Sequence, residues 1–154
     1  MLAQANQCMT GYWQMDEQTA AAQAGGWFHT GDGGLLEDGY LTIVDRKKDV
    51  IVTGGENVSS IEVEDVLLSH PSVREAAVIG IPDQKWGELV TALIVADQAV
   101  DEAELLQHCR ERLAGYKCPK RIEIRESLER TATGKLQKFK LRQPFWEGRA
   151  SQVN

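Results

Sequence analysis

A threonine-glycine-lysine turn, Thr133-Gly134-Lys135, stands late in the chain, inside "ERTATGKLQKFK" at residues 129–140. A Walker phosphate loop needs G-x-x-x-x-G-K-[ST], because its glycines let backbone N–H groups wrap the phosphates and its hydroxyl holds the metal. Glu129 occupies the first glycine position and Leu136 the place of the hydroxyl, so a Walker loop is excluded. What remains is a tight turn that presents one ammonium, Lys135, among the cations Arg130, Lys138 and Lys140. Basic residues also gather at 46–48 and 117–121, enough for an anion site inside a chain whose net charge is -6. That negative balance argues against a dedicated nucleic-acid or membrane-surface binder, which would be basic. Cys8, Cys109 and Cys118 are widely spaced and form no C-x-x-C pair, and His29, His70 and His108 show no H-E-x-x-H spacing. No metal centre or disulfide framework is expected, and a reducing, cytoplasmic setting fits best.

The elements that must position Lys135 begin near residue 45. "DVIVTG" at 49–54 reads as a short strand. In "SSIEVEDVLLSHP" at 59–71, Ser59 and Glu62 fit a capping box, Val63, Val66 and Leu67 line one face, and Pro71 stops the helix. "VREAAVIGIP" at 73–82 and "ELVTALIVA" at 88–96 are near-continuous apolar runs, as in central strands covered on their faces. A second amphipathic helix spans 101–115, started by Asp101 and Glu104 and ended by Gly115, with Leu105, Cys109 and Leu113 on its buried stripe. "RIEIRE" at 121–126 alternates as an edge strand with Ile122 and Ile124 inward. The order βαββαβ predicts an α+β fold, a small two-layer sandwich of a mixed or antiparallel sheet with helices against one face.

Upstream the pattern is weaker. Residues 27–44 read as a β-ribbon with a hairpin at "EDGY", 37–40, since Asp-Gly suits positive φ angles. Such a ribbon is marginal unless it packs on something else. Residues 1–26 are polar and poorly patterned and are expected to be disordered or to pair with a second copy, making a homodimer possible. We divide the chain into 1–44, the β-rich end of a larger domain, and 45–154, a domain able to fold alone. No apolar run approaches the roughly 20 residues of a membrane-spanning helix, and no secretion signal is present at the N-terminus.

Five ordered stretches together resemble one family. They are "GWFHTGD" (26–32), "DRKKDVIVTGGENVSSIEVED" (45–65), "EAAVIGIPDQKWGE" (75–88), "AGYKCPK" (114–120) and "RTATGK" (130–135), with "GYW" (11–13) and "LRQPFWEGR" (141–149) also fitting. They are similar to the C-terminal part of AMP-forming acyl-CoA synthetases, within the adenylate-forming superfamily, and look most like the fatty- or medium-chain type. The resemblance implies two steps. A carboxylate attacks the α-phosphate of ATP to give an acyl-adenylate and pyrophosphate, and the CoA thiol then displaces AMP. It also implies a small C-terminal domain that swings between the steps. ATP and CoA would be bound, with Mg2+ arriving on ATP and ligated outside this chain.

The resemblance assigns roles residue by residue. Asp32 of "TGD" would accept hydrogen bonds from the ribose hydroxyls, and Arg46 would place a cationic fork near ribose and phosphate. Asp45 matches the hinge. Lys135 would enter the neighbouring domain's site during adenylation and offset charge growing on phosphate and carboxylate oxygens. Gly54, Gly55, Glu56 and Asn57 would face the same site in the second step, the glycines leaving room for the pantetheine arm. Lys117 and Lys120 either meet CoA phosphates or belong to a solvated loop. Glu129 replaces a proline common before the turn, and the phosphate loop and adenine site lie outside this sequence, so the chain alone is expected to be inactive. Two other readings stay open: an adenylation domain that loads a carrier protein, and a non-catalytic binding or dimerising module.

Overall fold

A computed structural model describes residues 1–148 and divides them into two compact units, Met1–Lys47 and the stretch from Lys48 onward. Arg149 of the tail motif and residues 150–154 of the expected second domain lie outside the described residues.

In the first unit, Leu2–Ala3 (β1) pairs antiparallel with Phe28–His29 (β2). Between them Asp16–Ala22 forms a helix (α1) that buries no residue. Residues 1–26 therefore carry local structure, where disorder was one of the two states expected. The alanines at 20–22 are strong helix formers, and Asp16 and Glu17 sit favourably against the dipole of the first turn. Asp32–Glu37 (β3) and Tyr40–Arg46 (β4) form the ribbon read from the sequence. Its turn is Asp38-Gly39, with φ of 50° and 82°, as a two-residue primed turn requires. Leu35, Leu36, Tyr40, Leu41 and Ile43 are exposed on it.

In the second unit, Ile51–Thr53 (β5) and Glu56–Val58 (β6) form a hairpin, followed by the helix Ser60–Leu68 (α2). The sequence predicts a single strand here, at 49–54. Gly54 and Gly55, with φ of 60° and 85°, instead close a two-residue β-hairpin, and Glu56 and Asn57 belong to its return strand. Ser59 caps α2 as expected, its Oγ accepting the Glu62 N–H at 3.4 Å.

Val73–Asp83 (β7) and Gly87–Ala96 (β8) pair antiparallel over their length. Glu102–Arg110 (α3) follows, with Asp101 accepting from Ala103 N–H as its cap. The helix ends well before Gly115, although Leu113 remains buried. Arg121–Ile124 (β9) pairs parallel with β8, so the sheet, in the order β6-β5-β8-β7 with β9 beside β8, is mixed. Ile122 packs inward, but Ile124 is 54% exposed, because it stands at the last position of an edge strand.

Period-two alternation along β7 and β8 builds two cores. Ala76, Val78, Val90, Ala92 and Ile94 meet Val63 and Leu67 of α2 and Leu105 and Cys109 of α3. Burial among these side chains pushes the Cys109 thiol up to about 11, so it packs as a neutral apolar group. On the other face, Ala77, Ile79, Ile81, Leu93 and Val95 meet Leu128 and Leu141. Leu141 belongs to Lys138–Trp146 (α4), a helix that the sequence reading did not locate. Pro144 inside it interrupts the usual helical signature. The α+β class with α2 and α3 layered on a mixed sheet holds, and α4 adds cover to the second face.

Glu88 is buried at the start of β8, where its carboxylate accepts the Val52 N–H at 2.7 Å. A Cβ on Gly80 would fall 2.7 Å from that carboxylate, so glycine there makes its seat. Burial pushes the Glu88 carboxyl above its usual range, against the opposing Val52 hydrogen bond and Arg142 charge. The native chain thus keeps this proton to higher pH than the unfolded chain. The stabilisation is complete below the ordinary carboxylate range and is lost as pH rises through the raised value. Glu88→Gln keeps an acceptor for Val52 and is expected to raise the thermal midpoint relative to the parent more at about pH 7 than at about pH 4. An equal change at both pH values would sink this assignment.

Candidate functional site

Lys135 sits on a turn whose backbone is bonded internally. Thr131 N–H donates to Lys135 O at 2.8 Å, Gly134 N–H to Thr131 O at 2.9 Å, and Lys135 N–H to Thr131 Oγ1 at 3.0 Å. Gly134, with φ of 84°, takes the left-handed position that other residues adopt at a cost. An isolated bridge between Arg130 and Leu136 closes the base. The Lys135 side chain is exposed, and its ammonium makes no ion pair among the described residues.

Two of the cations grouped with it in the sequence are engaged elsewhere. Arg130 binds Glu75 and the Gly134 carbonyl, and Lys138 binds Glu64 at 2.6 Å. Lys140 lies 6.0 Å from the Phe139 ring. Of the apparent basic cluster, Lys135 and Lys140 make no ion pair among the described residues, and Lys135 alone stands on the internally bonded turn, able to place one positive charge against an anionic group.

A separate cleft of about 320 Å3 lies beside the β5–β6 hairpin. Thr53, Gly54 and Glu56 form one wall, and Trp86, Gly115, Tyr116 and Lys120 the rest. Gly54 N–H donates to Trp86 O at 2.8 Å, and a Cβ on Gly54 would stand 3.0 Å from the indole ring. The glycine therefore lets the indole lie directly on the turn. Lys85 Nζ sits 4.6 Å from the centre of the same ring. Of the four residues expected together, Gly54 and Glu56 line the cleft, whereas Gly55 and Asn57 do not.

Lys120 also lines it and donates to Gly115 O at 3.2 Å. Lys117 is held instead by both oxygens of Glu62, at 2.6 and 2.7 Å, and these bonds push its ammonium pKa up. Trp86 and Tyr116, the aromatic walls, were not singled out from the sequence. Each lies in a stretch already marked, "QKWGE" and "AGYKCPK", and an exposed aromatic beside glycine was the available signal.

In the first unit, the register of β3 and β4 pairs Asp32 with Arg46. Arg46 Nε lies 3.5 Å from Asp32 Oδ1, so a carboxylate and a guanidinium present themselves side by side. Asp32 N–H donates to Thr30 Oγ1 at 3.1 Å, which holds the turn of "HTGD". Asp45 is buried, and its Oδ1 accepts the Arg46 N–H at 2.7 Å. It stands just before a short 3-10 turn at Lys47–Asp49, where the two units divide. His70 is buried, with Nε2 3.5 Å from Glu104, and His108 Nε2 bonds Ser69 Oγ at 2.9 Å. Among the described residues, no three His, Cys, Asp or Glu side chains cluster as a metal would need. No helix among them is long and apolar enough to cross a membrane.

Comparison with known proteins adds a lineage to this geometry. The family model for the AMP-binding enzyme C-terminal domain matches residues 62–135. The long-chain-fatty-acid–CoA ligase FadD13 of Mycobacterium tuberculosis is 48% identical over 136 residues, covering 87% of this chain and 27% of the relative. The chain thus spans about a quarter of that relative's length. Among solved structures, the o-succinylbenzoate CoA synthetase of Bacillus subtilis, in complex with an acyl-adenylate intermediate, matches with a TM-score of 0.81 at 42% identity. The match covers 86% of this chain and 28% of that one. The anthranilate CoA ligase AuaEII, in complex with anthranoyl-AMP, matches with a TM-score of 0.85 at 39% identity, over 94% of this chain and 29% of that one.

Proposed function

We propose, from the premise that this chain belongs to the AMP-binding enzyme C-terminal domain family, that it is the C-terminal part of an ATP-dependent, AMP-forming acyl-CoA ligase. In the first step a carboxylate oxygen of the acid bonds to the α-phosphorus of ATP and pyrophosphate leaves. In the second, the CoA sulfur bonds to the acyl carbon and AMP leaves. Residues 1–44 belong, in this reading, to the larger upstream domain, whose surface covers the apolar ribbon of β3 and β4. Residues from 45 onward form the lid.

The observation that carries the proposal is Lys135, whose ammonium makes no ion pair among the described residues and stands on an internally bonded turn. Negative charge develops on the phosphate and carboxylate oxygens during adenylation, and a preorganised cation stabilises that charge with little reorganisation. Asp32 accepts the ribose hydroxyls of the nucleotide, and Arg46, 3.5 Å away, reaches its phosphate while orienting that carboxylate. Asp45 absorbs the rotation of the lid. Mg2+ travels on the ATP phosphates.

The cleft of Gly54, Glu56, Trp86, Tyr116 and Lys120 takes CoA in the second step. The pantetheine arm passes along the exposed part of the Trp86 indole, which the Gly54 turn supports, and Lys120 faces its phosphates. Free CoA is favoured over a carrier protein because the similar proteins are named as CoA ligases. For the acid, identity to a long-chain-fatty-acid ligase supports a fatty substrate of long or medium chain.

Trp86→Ala in the full-length parent tests the cleft. The KM for CoA is expected to rise about tenfold, a loss of roughly 1.4 kcal/mol, while acid-dependent pyrophosphate release stays within about twofold. Unchanged thioester kinetics with CoA would remove the cleft from the proposal, and turnover with a loaded carrier alone would favour the carrier reading.

A further inference from the structure

We propose that Glu75 and Glu64 are positioning residues that clamp the two ends of the segment carrying Lys135, which they do not touch. The inference rests on the role given above to Lys135. At the upstream end, the Arg130 guanidinium spans two partners. Its Nε and Nη2 donate to Glu75 Oε2 of β7 at 3.1 and 2.5 Å, and its Nη1 donates to Gly134 O at 2.8 Å. One planar group thus ties the carbonyl just before Lys135 to the β7–β8 hairpin.

At the downstream end, Lys138 Nζ binds Glu64 Oε1 at 2.6 Å and donates to Ser60 Oγ at 2.7 Å, the two charged side chains being 13% and 12% exposed. Glu64 is itself held by the Val78 N–H at 2.7 Å, so this anchor also reaches β7. Between the anchors Leu136 packs against the core beneath α4.

The arrangement does two things. It fixes the turn at both feet, so the ammonium approaches its target from one direction and the chain loses little freedom in the reaction itself. It also neutralises the cations on either side of Lys135, which leaves a single uncompensated charge at the tip. Stability alone is a poor reason for the upstream pair, since partly exposed ion pairs contribute little to it. A planar guanidinium that bonds a carboxylate and a backbone carbonyl at once also fixes geometry in a way that a lysine cannot.

The test compares the two half-reactions in the full-length enzyme that carries this chain. Glu75→Gln and Arg130→Lys are measured beside Lys135→Ala for acid-dependent pyrophosphate release, and for thioester formation from supplied acyl-adenylate and CoA. Both variants are expected to lower kcat of the first half-reaction about tenfold to a hundredfold, as small misplacements do. KM for ATP and the second half-reaction should stay within about twofold. The double variant should lose no more than the worse single one.

Equal loss in both half-reactions would show a structural role and overturn the inference. So would an unchanged first half-reaction while Lys135→Ala impairs it. If Lys135→Ala itself leaves adenylation intact, the reading of Lys135 fails, and the clamp with it.

Discussion

Replacing Lys135 by alanine in the full-length enzyme is expected to slow acyl-adenylate formation by about a hundredfold to a thousandfold, the usual cost of removing one preorganised charge-stabilising group. The size of the effect follows from the local geometry. The turn is closed by four backbone and hydroxyl bonds within residues 131–135, and none of them involves the lysine ammonium. Truncation at Cβ therefore removes the charge and leaves the turn standing. The loss should fall on kcat with little change in KM for ATP, because the charge it offsets grows mainly in the transition state. Thioester formation from supplied acyl-adenylate should proceed as before. Pyrophosphate release measured before and after the substitution checks the first claim, and rates with isolated acyl-adenylate check the second. Adenylation at the parental rate would exclude Lys135 as the catalytic cation.

The second large effect concerns the sheet that carries these parts. Leu93 is 0% exposed at the centre of β8, opposite Ala77 of β7 and beside Glu123 of β9. It packs among Ile79, Val95 and Leu141 under α4. Leu93→Ala is expected to destabilise the chain by about 2–5 kcal/mol, the lost transfer free energy plus the cavity left behind. The site cannot collapse easily, because β8 is paired on both sides and its backbone is held in place. Urea unfolding followed by fluorescence gives the measurement, read from the midpoint at unchanged slope. A change below about 1 kcal/mol would mean that this face is not packed as described. The same sheet bears Glu75, so a partly collapsed variant should also loosen the turn of Lys135.

Much of the fold was legible because its signals are local. The apolar runs at 73–82 and 88–96 sit within a residue of the observed strands, since a strand buried on both faces leaves a nearly unbroken apolar record. Ser59 and Asp101 cap their helices, and Asp38-Gly39 turns the first-unit ribbon. The glycines at 54 and 55 were legible as a turn, but not as a hairpin, because β6 is three residues long and two of the three are polar. Helix α4 was hidden by Pro144 and by the basic residues around its start. Ile124 shares the parity of Ile122, yet parity names a face and says nothing about whether that face is covered.

By itself, then, the order of residues determined the short-range facts: which stretches are strand or helix, where a lysine is lifted on a glycine turn, and which family the motifs resemble. Tertiary structure alone decided which charges are available. Arg130, Lys135 and Lys138 look alike as letters, but Glu75 and Glu64, distant in sequence, take up the first and the last. Only tertiary structure likewise laid Trp86 against Gly54 to make a cleft. The physical reason is range. Caps, turns and periodicity are set by neighbours a few residues apart, whereas ion pairing and ring stacking depend on distances in space that exist only once the sheet has formed.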